Sequence, residues 1–239
     1  MNTIIINHII YLLSEERRAA LVLSCQAQDE HISIPQQVEK DGIHYTVKGI
    51  GKYAFKNCPL KTISLPETIL LIDDYAFIYC RQLESIRIPE GIKEIAQYCF
   101  SNCVSLSKVE LPETIRIIHQ SAFATCWNLK HITFPQRLCE IGKMAFFCCY
   151  QLQEVTLPRY MVRVDDCAFA FCKKLTAATI PGLVERVGNS TFLGCEQLQS
   201  IVIKHHDAEM LQALTHYYLT ETPLRELKDK IRTFTSTKD

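Results

Sequence analysis

Twelve cysteines and eight histidines are the side chains of this 239-residue chain that could hold a metal ion or act as nucleophiles. They lie closest together at Cys148-Cys149 and at His205-His206. A zinc site needs four converging ligands, usually as two close pairs at spacings such as Cys-x2-Cys. Neither pair fits that pattern, so we predict one buried and one lateral thiol at the first pair and a polar junction at the second. We expect no metal and no other cofactor.

A cysteine nucleophile would need an exposed thiolate in an electropositive setting beside an oriented histidine. Seven of the cysteines instead stand close to phenylalanine and leucine, where a thiol acts as a small apolar filler. The sequence also contains no glycine-rich phosphate loop, no His-Glu-x-x-His and no Gly-x-Ser-x-Gly. We therefore predict that the chain is not an enzyme, with a thiol enzyme or a metal-binding protein as the remote alternative.

The same seven cysteines mark a repeat. Phe-x-x-Cys recurs seven times, and after a first interval of 22 residues the interval is 23 residues. A proline and a leucine keep the same period, which is the signature of a solenoid. We expect the column of thiols to be buried and reduced, with a strained structural disulfide along it as the alternative. The pairs are Phe55/Cys58, Phe77/Cys80, Phe100/Cys103, Phe123/Cys126, Phe146/Cys149, Phe169/Cys172 and Phe192/Cys195.

Each unit predicts a short strand, a turn and a return segment. Residues 83–88 alternate apolar and polar side chains, as a half-buried strand does. A proline follows nearly every such strand, and because it cannot donate to a ladder the strand ends there. Two apolar residues three apart, such as Ile92 and Ile95, then lead back to the Ala-Phe pair in an extended or short helical segment. The predicted fold is an α/β solenoid with a parallel sheet on one side.

The pattern Leu-x-x-Ile-x-Leu-Pro, followed by Ile-x-x-x-Ala-Phe-x-x-Cys, runs over residues 47–203. It resembles the BspA-like (Treponema pallidum type) leucine-rich repeats. The resemblance implies a curved leucine-rich repeat array with its parallel β-sheet on the concave side. Members of that family are often bacterial or protist surface proteins, so the resemblance also implies adhesion to proteins or to other cells.

Atypical segments on both sides of the repeats predict caps. Residues 9–13 and 19–23 predict an N-terminal β-hairpin, and Ile32-Ser33-Ile34-Pro35 begins a degenerate repeat with a long loop over residues 36–44. Residues 207–220 predict a helix, and Thr222-Pro223 supplies an N-cap and a first-position proline for a second helix. We therefore predict an N-terminal β cap with one degenerate repeat (1–46), seven leucine-rich repeats (47–204) and a C-terminal helical cap (205–239). The second helix would place on one face Leu224, Leu227, Ile231 and Phe234.

The outward strand positions form two columns on the predicted concave face. Charged side chains concentrate in the middle repeats, whereas hydroxyl groups dominate the ends. Solenoids commonly offer a partner surface on such a face, so we predict that a protein binds there. The alternative is a solvated face with ion pairs from Arg87 to Glu110 and from Lys108 to Glu110. The candidate contact residues are Arg87, Lys108, Glu110, Lys130, His131 and Glu154.

A lateral set of aromatic side chains beside the Phe-Cys column is a second candidate surface. Exposed aromatics in a row suggest contact with a protein or a glycan, whereas packing between repeats is the alternative. The set consists of Tyr53, Tyr75, Tyr79, Tyr98, Trp127, Phe147, Tyr150 and Phe171.

Charge and hydropathy narrow the classes of partner and location. The 26 Lys and Arg balance the 26 Asp and Glu without a basic block, so we expect no nucleic-acid partner. No stretch approaches the ~18 apolar residues of a membrane span, and the N-terminal apolar run lacks the flanks of a signal peptide. Together with unpaired cysteines, this favours an intracellular location, and the family resemblance implies the cell surface as the alternative.

The predicted function is a non-catalytic protein–protein interaction module that uses the concave sheet face. The alternative is a structural or adhesion protein that self-assembles through a sheet edge or the C-terminal cap.

Overall fold

Nineteen strands and no helix form the regular structure of the described residues, which are 2–182, 184–203 and 231–233 in this computed structural model. The strands are β1 (Thr3–Ile6), β2 (Ile9–Ser14), β3 (Ala19–Cys25), β4 (His31–Ser33), β5 (Gln37–Lys40), β6 (Ile43–Ile50), β7 (Thr62–Ser64), β8 (Leu71–Ile72), β9 (Ser85–Arg87), β10 (Glu94–Ile95), β11 (Lys108–Glu110), β12 (Ile117–Ile118), β13 (Glu140–Ile141), β14 (Glu154–Thr156), β15 (Arg163–Val164), β16 (Ala177–Ile180), β17 (Arg186–Val187), β18 (Ser200–Ile203) and β19 (Ile231–Thr233).

Each repeat makes one turn of a solenoid, and in every repeat except the fourth the first side is a strand of three or four residues. These strands pair in parallel with their equivalents in the next turn, as Ser85 of β9 does with Lys108 of β11. This confirms the predicted strand, its parallel pairing and its register. The strands form two sheets, in the orders β11-β9-β7-β4 and β14-β16-β18-β19.

The return segment, the second side of each turn, is extended. Its two-residue strands form a parallel sheet in the order β10-β12-β13-β15-β17, in which Ile118 lies beside Ile141. Both of these isoleucines are fully buried. Of the two forms that the sequence left open for this segment, extended or helical, the extended one is observed.

The third side is a run of turns with left-handed backbone at two positions of every repeat. In one turn these are Tyr75 and Tyr79, with φ of 59° and 62°. Every second backbone N–H here donates to a carbonyl of the next turn: Tyr75 to Gln97 at 3.0 Å and Phe77 to Cys99 at 2.9 Å. The buried backbone groups on this side are thereby paired, as buried backbone groups must be. The other such positions are Tyr53, Asn57, Tyr98, Asn102, Ser121, Thr125, Met144, Cys148, Cys167, Phe171, Ser190 and Gly194.

Columns of equivalent side chains fill the interior. The seven repeat phenylalanines, such as Phe100 and Phe123, are at most 1% exposed, and successive rings stack with centroids 5.1 to 5.8 Å apart. The repeat cysteines are buried beside them, and all twelve cysteines of the chain are free thiols. The predicted assignment of this column to the core is therefore confirmed.

The N-terminal hairpin is confirmed and one further strand joins it. β2 and β3 pair antiparallel around the charged turn, β1 extends the hairpin, and β3 joins β6. The predicted long loop over residues 36–44 is instead mostly a second hairpin, in which β5 pairs with β6 across Asp41-Gly42. The hairpin follows from Asp-Gly, a dipeptide that favours two positive φ angles at such a turn, here 54° and 73°.

The predicted strand of the fourth repeat, within residues 129–134, is not formed. Residues 129–135 have no strand pairing, so the first side is divided into the two sheets named above. Phe134 stands where Leu111 and Leu157 stand in the neighbouring turns. Its buried ring packs edge-on against Phe146 and Phe169, with centroids 5.7 and 6.5 Å apart. We attribute the break to the greater room that this ring needs beneath the backbone.

The predicted helical C-terminal cap is not supported. Ile231, which we placed on the face of a helix, belongs to β19, and this strand pairs in parallel with β18. The edge of the last repeat is thus covered by a strand there. Apart from β19 (Ile231–Thr233), the residues assigned to the two helices lie outside the described residues.

Candidate functional site

The structure brings together three of the six predicted contact residues. Arg87 lies on β9, and Lys108 and Glu110 lie on the adjacent β11, where Glu110 is the direct pairing partner of Arg87. All three side chains are exposed. We call the outward side of the sheet β11-β9-β7-β4 the strand face.

Two columns of side chains cross the strand face in the predicted register. Each strand of three residues buries its middle residue and turns its first and third outward, because side chains alternate across a strand. The columns follow directly from the pairings of β4 with β7, β7 with β9 and β9 with β11. They are His31, Thr62, Ser85 and Lys108 in one, and Ser33, Ser64, Arg87 and Glu110 in the other.

The strand face holds an open depression of ≈ 260 Å³. The hydroxyl groups of Thr62, Ser64 and Ser85 line it on one side, and charged groups border it on the other. Hydroxyls can both donate and accept hydrogen bonds. The depression therefore offers donors, acceptors and charges of both signs within a few side chains of each other. The charged groups are Arg87, Lys108 and Glu110.

Ion pairs organise the charged side of the depression, and one of the two predicted pairs is observed. Lys108 Nζ lies 2.5 Å from Glu110 Oε1, and this contact lowers the pKa of the Glu110 carboxyl. Arg87 pairs with Glu67 rather than with Glu110. Both pairs are largely solvent-exposed, so they position the side chains and contribute little to stability.

Glu67 borders the candidate site, and the sequence did not reveal it. It follows Pro66 in the turn after β7, outside both columns. Its second carboxylate oxygen accepts a hydrogen bond from the backbone N–H of Glu90 at 3.1 Å, and its contact with Arg87 lowers the pKa of the Glu67 carboxyl. A carboxylate after the proline also occurs at Glu90 and Glu113, and this repetition was the available signal. Glu67 fixes the direction of the Arg87 side chain.

The other three predicted residues lie apart from the depression. Lys130 and His131 belong to the segment without a strand, and Glu154 lies on β14 at the start of the second sheet. All three are exposed. The outward side of that second sheet carries hydroxyl and apolar groups, such as Thr156, Ala177 and Thr179.

Seven of the eight side chains of the lateral aromatic set form three separate packing groups. Tyr53, Tyr75 and Tyr98 form one stack, with ring centroids 4.8 and 5.0 Å apart. Trp127 stacks on Tyr150 at 5.9 Å, and Phe147 meets Phe171 edge-on at 5.4 Å. These contacts join neighbouring turns, which is the packing role that we gave as the alternative. The set is not one continuous surface.

Thiols and histidines form no cluster of metal ligands in the part of the chain that the structure describes. Cys149 is fully buried and Cys148 half-buried, as predicted, and the pair His205-His206 lies outside the described residues. Burial raises the pKa of the Cys149 thiol well above its usual value. A protonated, buried thiol is a poor nucleophile.

Among the described residues, no helix has the length and apolar character needed to cross a membrane.

In the comparison with known protein families, one family model matches the chain. The model of the BspA type leucine rich repeat region (6 copies) matches residues 48–176 and 117–232. No curated protein matches the chain.

Solved structures of leucine-rich repeat proteins resemble the chain. The protein of T. pallidum shares 23% identity at a TM-score of 0.58, over 84% of this chain and 81% of that one. A protein from Bacteroides ovatus shares 22% identity at a TM-score of 0.55, over 84% of this chain and 70% of that one. A protein from Eubacterium ventriosum shares 21% identity at a TM-score of 0.71, over 87% of this chain and 52% of that one. These likenesses show the fold alone.

Proposed function

Because the chain belongs to the BspA-type leucine-rich repeat family, we propose that it is a non-catalytic protein-binding module whose partner contacts the strand face. Solenoids of this kind bind partners over extended surfaces built from many turns. The partner would be a protein, since the face combines hydroxyls with charges of both signs, and Glu67 and Glu110 balance the positive charges of Arg87 and Lys108. Its contact residues would be Arg87, Lys108 and Glu110 at the depression, with Lys130, His131 and Glu154 further along the array.

The observation that carries this proposal is the contrast between interior and strand face. Successive turns keep phenylalanine, cysteine and leucine inside, whereas the outward position changes from Thr62 to Ser85 to Lys108 and the second column from Ser64 to Arg87 to Glu110. A fixed core fixes the backbone, so outward side chains can differ from turn to turn without cost to the fold. Such a surface can be specific for one partner.

The binding surface can be tested by exchanging the charges of one ion pair. The double variant Lys108→Glu/Glu110→Lys keeps a pair of opposite charges but inverts their positions, so we expect an unchanged melting temperature and loss of the captured partner. Capture would use the full chain as bait in lysate of its source organism. The matched control is Lys173→Glu/Glu196→Lys, a second exposed Lys–Glu pair, 3.1 Å apart and remote from β7, β9 and β11.

Retention of the partner by Lys108→Glu/Glu110→Lys would contradict the assignment of the strand face, and so would an equal loss of the partner in the variant and in the control. If the wild-type bait captures only further copies of itself, the self-assembly alternative takes its place. Removal of residues 224–239 would then change the oligomeric state measured by light scattering.

A further inference from the structure

Two thiols meet where the N-terminal sheet joins the first repeat. Cys25 ends β3, and Cys58 begins the column of repeat cysteines. The next thiols of that column donate to a phenylalanine carbonyl of the preceding turn, as Cys80 does to Phe55 at 2.9 Å. Cys58 has no full repeat before it, and its thiol instead lies 3.6 Å from the carbonyl oxygen of Cys25.

A backbone hydrogen bond also joins the segments that carry the two cysteines. The backbone N–H of Cys25 donates to the Ala54 carbonyl at 2.7 Å. That bond fixes the end of β3 against the turn that carries Cys58. Together with the contact of the Cys58 thiol with the Cys25 carbonyl, it holds the two cysteines side by side, although they lie 33 positions apart in sequence.

The two thiols differ in exposure and in acidity. Cys25 is half-buried, whereas Cys58 is only 5% exposed. The neighbouring Cys58 thiol, helped by the backbone N–H of Ala27, lowers the pKa of Cys25 to about 7, although burial and the charge of Asp29 act against it. The proximity of Cys25 and burial raise the pKa of Cys58. Tyr11, a further titratable side chain close to Cys25, stays protonated because burial raises its pKa to about 12.

We propose that Cys25 and Cys58 form a reversible redox pair, in which a low-molecular-weight disulfide such as oxidised glutathione modifies Cys25 and Cys58 resolves the product. The Cys25 thiolate attacks one sulfur of the small disulfide, forms a mixed disulfide and releases one thiolate. Cys58 then loses its proton to solvent and attacks the Cys25 sulfur, which closes the Cys25–Cys58 disulfide and releases the second small thiolate. The protein loses two electrons and the small disulfide gains two.

The disulfide would link the N-terminal sheet covalently to the first repeat. It would close a loop that contains β4, β5 and β6, and β4 is the outer strand of the strand face. A closed loop restricts the unfolded chain, so the oxidised protein would melt at a higher temperature than the reduced protein.

Cys167 provides a matched control within the chain. It is also half-buried, but burial and the charge of Asp166 raise its pKa, and no thiol is among the groups that act on it. Reaction at Cys25 and not at Cys167 would show that the neighbouring thiol, rather than exposure, decides which cysteine is modified.

The test is incubation of the folded, full-length chain with oxidised glutathione at neutral pH, followed by acid quenching, alkylation and peptide mass mapping. In the wild type and in Cys167→Ser, we expect a Cys25–Cys58 cross-linked peptide and loss of two titratable thiols. Cys58→Ser should stop at a stable glutathione adduct on Cys25, and Cys25→Ser should yield neither product. The wild-type result requires no variant to fold. Absence of the cross-linked peptide, or glutathione on Cys167 as fast as on Cys25, would overturn the proposal.

Discussion

The thiol of Cys126 donates a hydrogen bond to the backbone carbonyl of Phe100 in the preceding turn, across 3.2 Å. The same bond recurs at Cys80, Cys103, Cys149, Cys172 and Cys195. A cysteine fills space as a small apolar side chain does and also carries a weak donor. It thereby gives a buried carbonyl a second donor beside the backbone N–H that already bonds to it, which an alanine or a valine could not do. This accounts for cysteine at that position in six of the seven turns.

Removal of one column thiol should show this double role. Cys126→Ala leaves a small cavity and removes one of the two hydrogen bonds that the Phe100 carbonyl accepts, since the backbone N–H of Cys103 still donates to it at 3.2 Å. We therefore expect a loss of about 2 kcal/mol in the free energy of unfolding. The half-buried Cys167, changed to alanine, should cost about 0.5 kcal/mol or less. Urea denaturation measures both. Equal losses for the two variants would contradict the structural role of the column.

Alkaline pH should destabilise the fold. Burial raises the pKa of Cys80 from 9.0 to about 12, and it raises the pKa of Cys126 as well. The unfolded chain therefore loses these protons at lower pH than the folded chain, so the contribution of these two thiols to stability is constant below about pH 8 and falls as pH rises from 9 towards 12. Cys25 acts with the opposite sign, because its lowered pKa contributes stability that is lost as pH falls through about 7.

The measurement is the urea midpoint at a series of pH values between neutral and about pH 10.5. Cys126→Ala, which has one buried thiol fewer, should lose less stability over that range than the wild type. A urea midpoint that stays constant above pH 9 would show that burial does not raise the pKa of the column thiols, and it would contradict this prediction.

The phenylalanine column should dominate stability. Phe123 is fully buried between two stacked neighbours at 5.3 Å. Phe123→Ala removes contacts in both directions and should cost about 3–5 kcal/mol. Phe171, which is 36% exposed, should cost about 1 kcal/mol when changed to alanine. Thermal or urea unfolding distinguishes them, and a comparable loss at Phe171 would count against the assignment of the column as the main core.

The left-handed positions permit a stabilising substitution. Thr125 has φ of 65°, which is unfavourable for a β-branched residue, and the equivalent positions of earlier turns hold Asn57 and Asn102. Thr125→Asn should therefore raise the free energy of unfolding by about 1 kcal/mol. The control Thr156→Asn lies in strand β14, where threonine is preferred, and it should lower stability slightly. A decrease in stability for both variants would show that the backbone at 125 carries no strain.

The period of the repeats predicted the pairing of Ser85 with Lys108, because only one register of neighbouring strands places the apolar residues of all turns in the interior. The sequence could not predict the missing strand before Phe134, since His131, Ile132 and Thr133 alternate as in other turns. That outcome depends on the room for one ring among Phe146 and Phe169.

Some contacts of the candidate site and of the cysteine pair also could not be predicted from the sequence. The bond from Glu67 to Arg87 depends on how far a turn residue extends over the next strand, and the pairing of Cys25 with Cys58 depends on where the non-repeating cap meets the first turn. Neither contact follows from the 23-residue spacing of the repeats. Side-chain contacts between turn and strand, or between cap and repeat, become visible only when the turns are stacked.

The most direct test of the strand face as the binding surface is site-specific photo-crosslinking. A photoreactive amino acid would replace Ser64, an exposed residue that lines the depression, or Lys93, an exposed residue beside β10 on the second side. Both variants would be exposed to the captured partner under identical conditions. We predict a cross-link to the partner from position 64 and none from position 93. A cross-link from position 93 alone would contradict the account and place the partner on the second side of the solenoid.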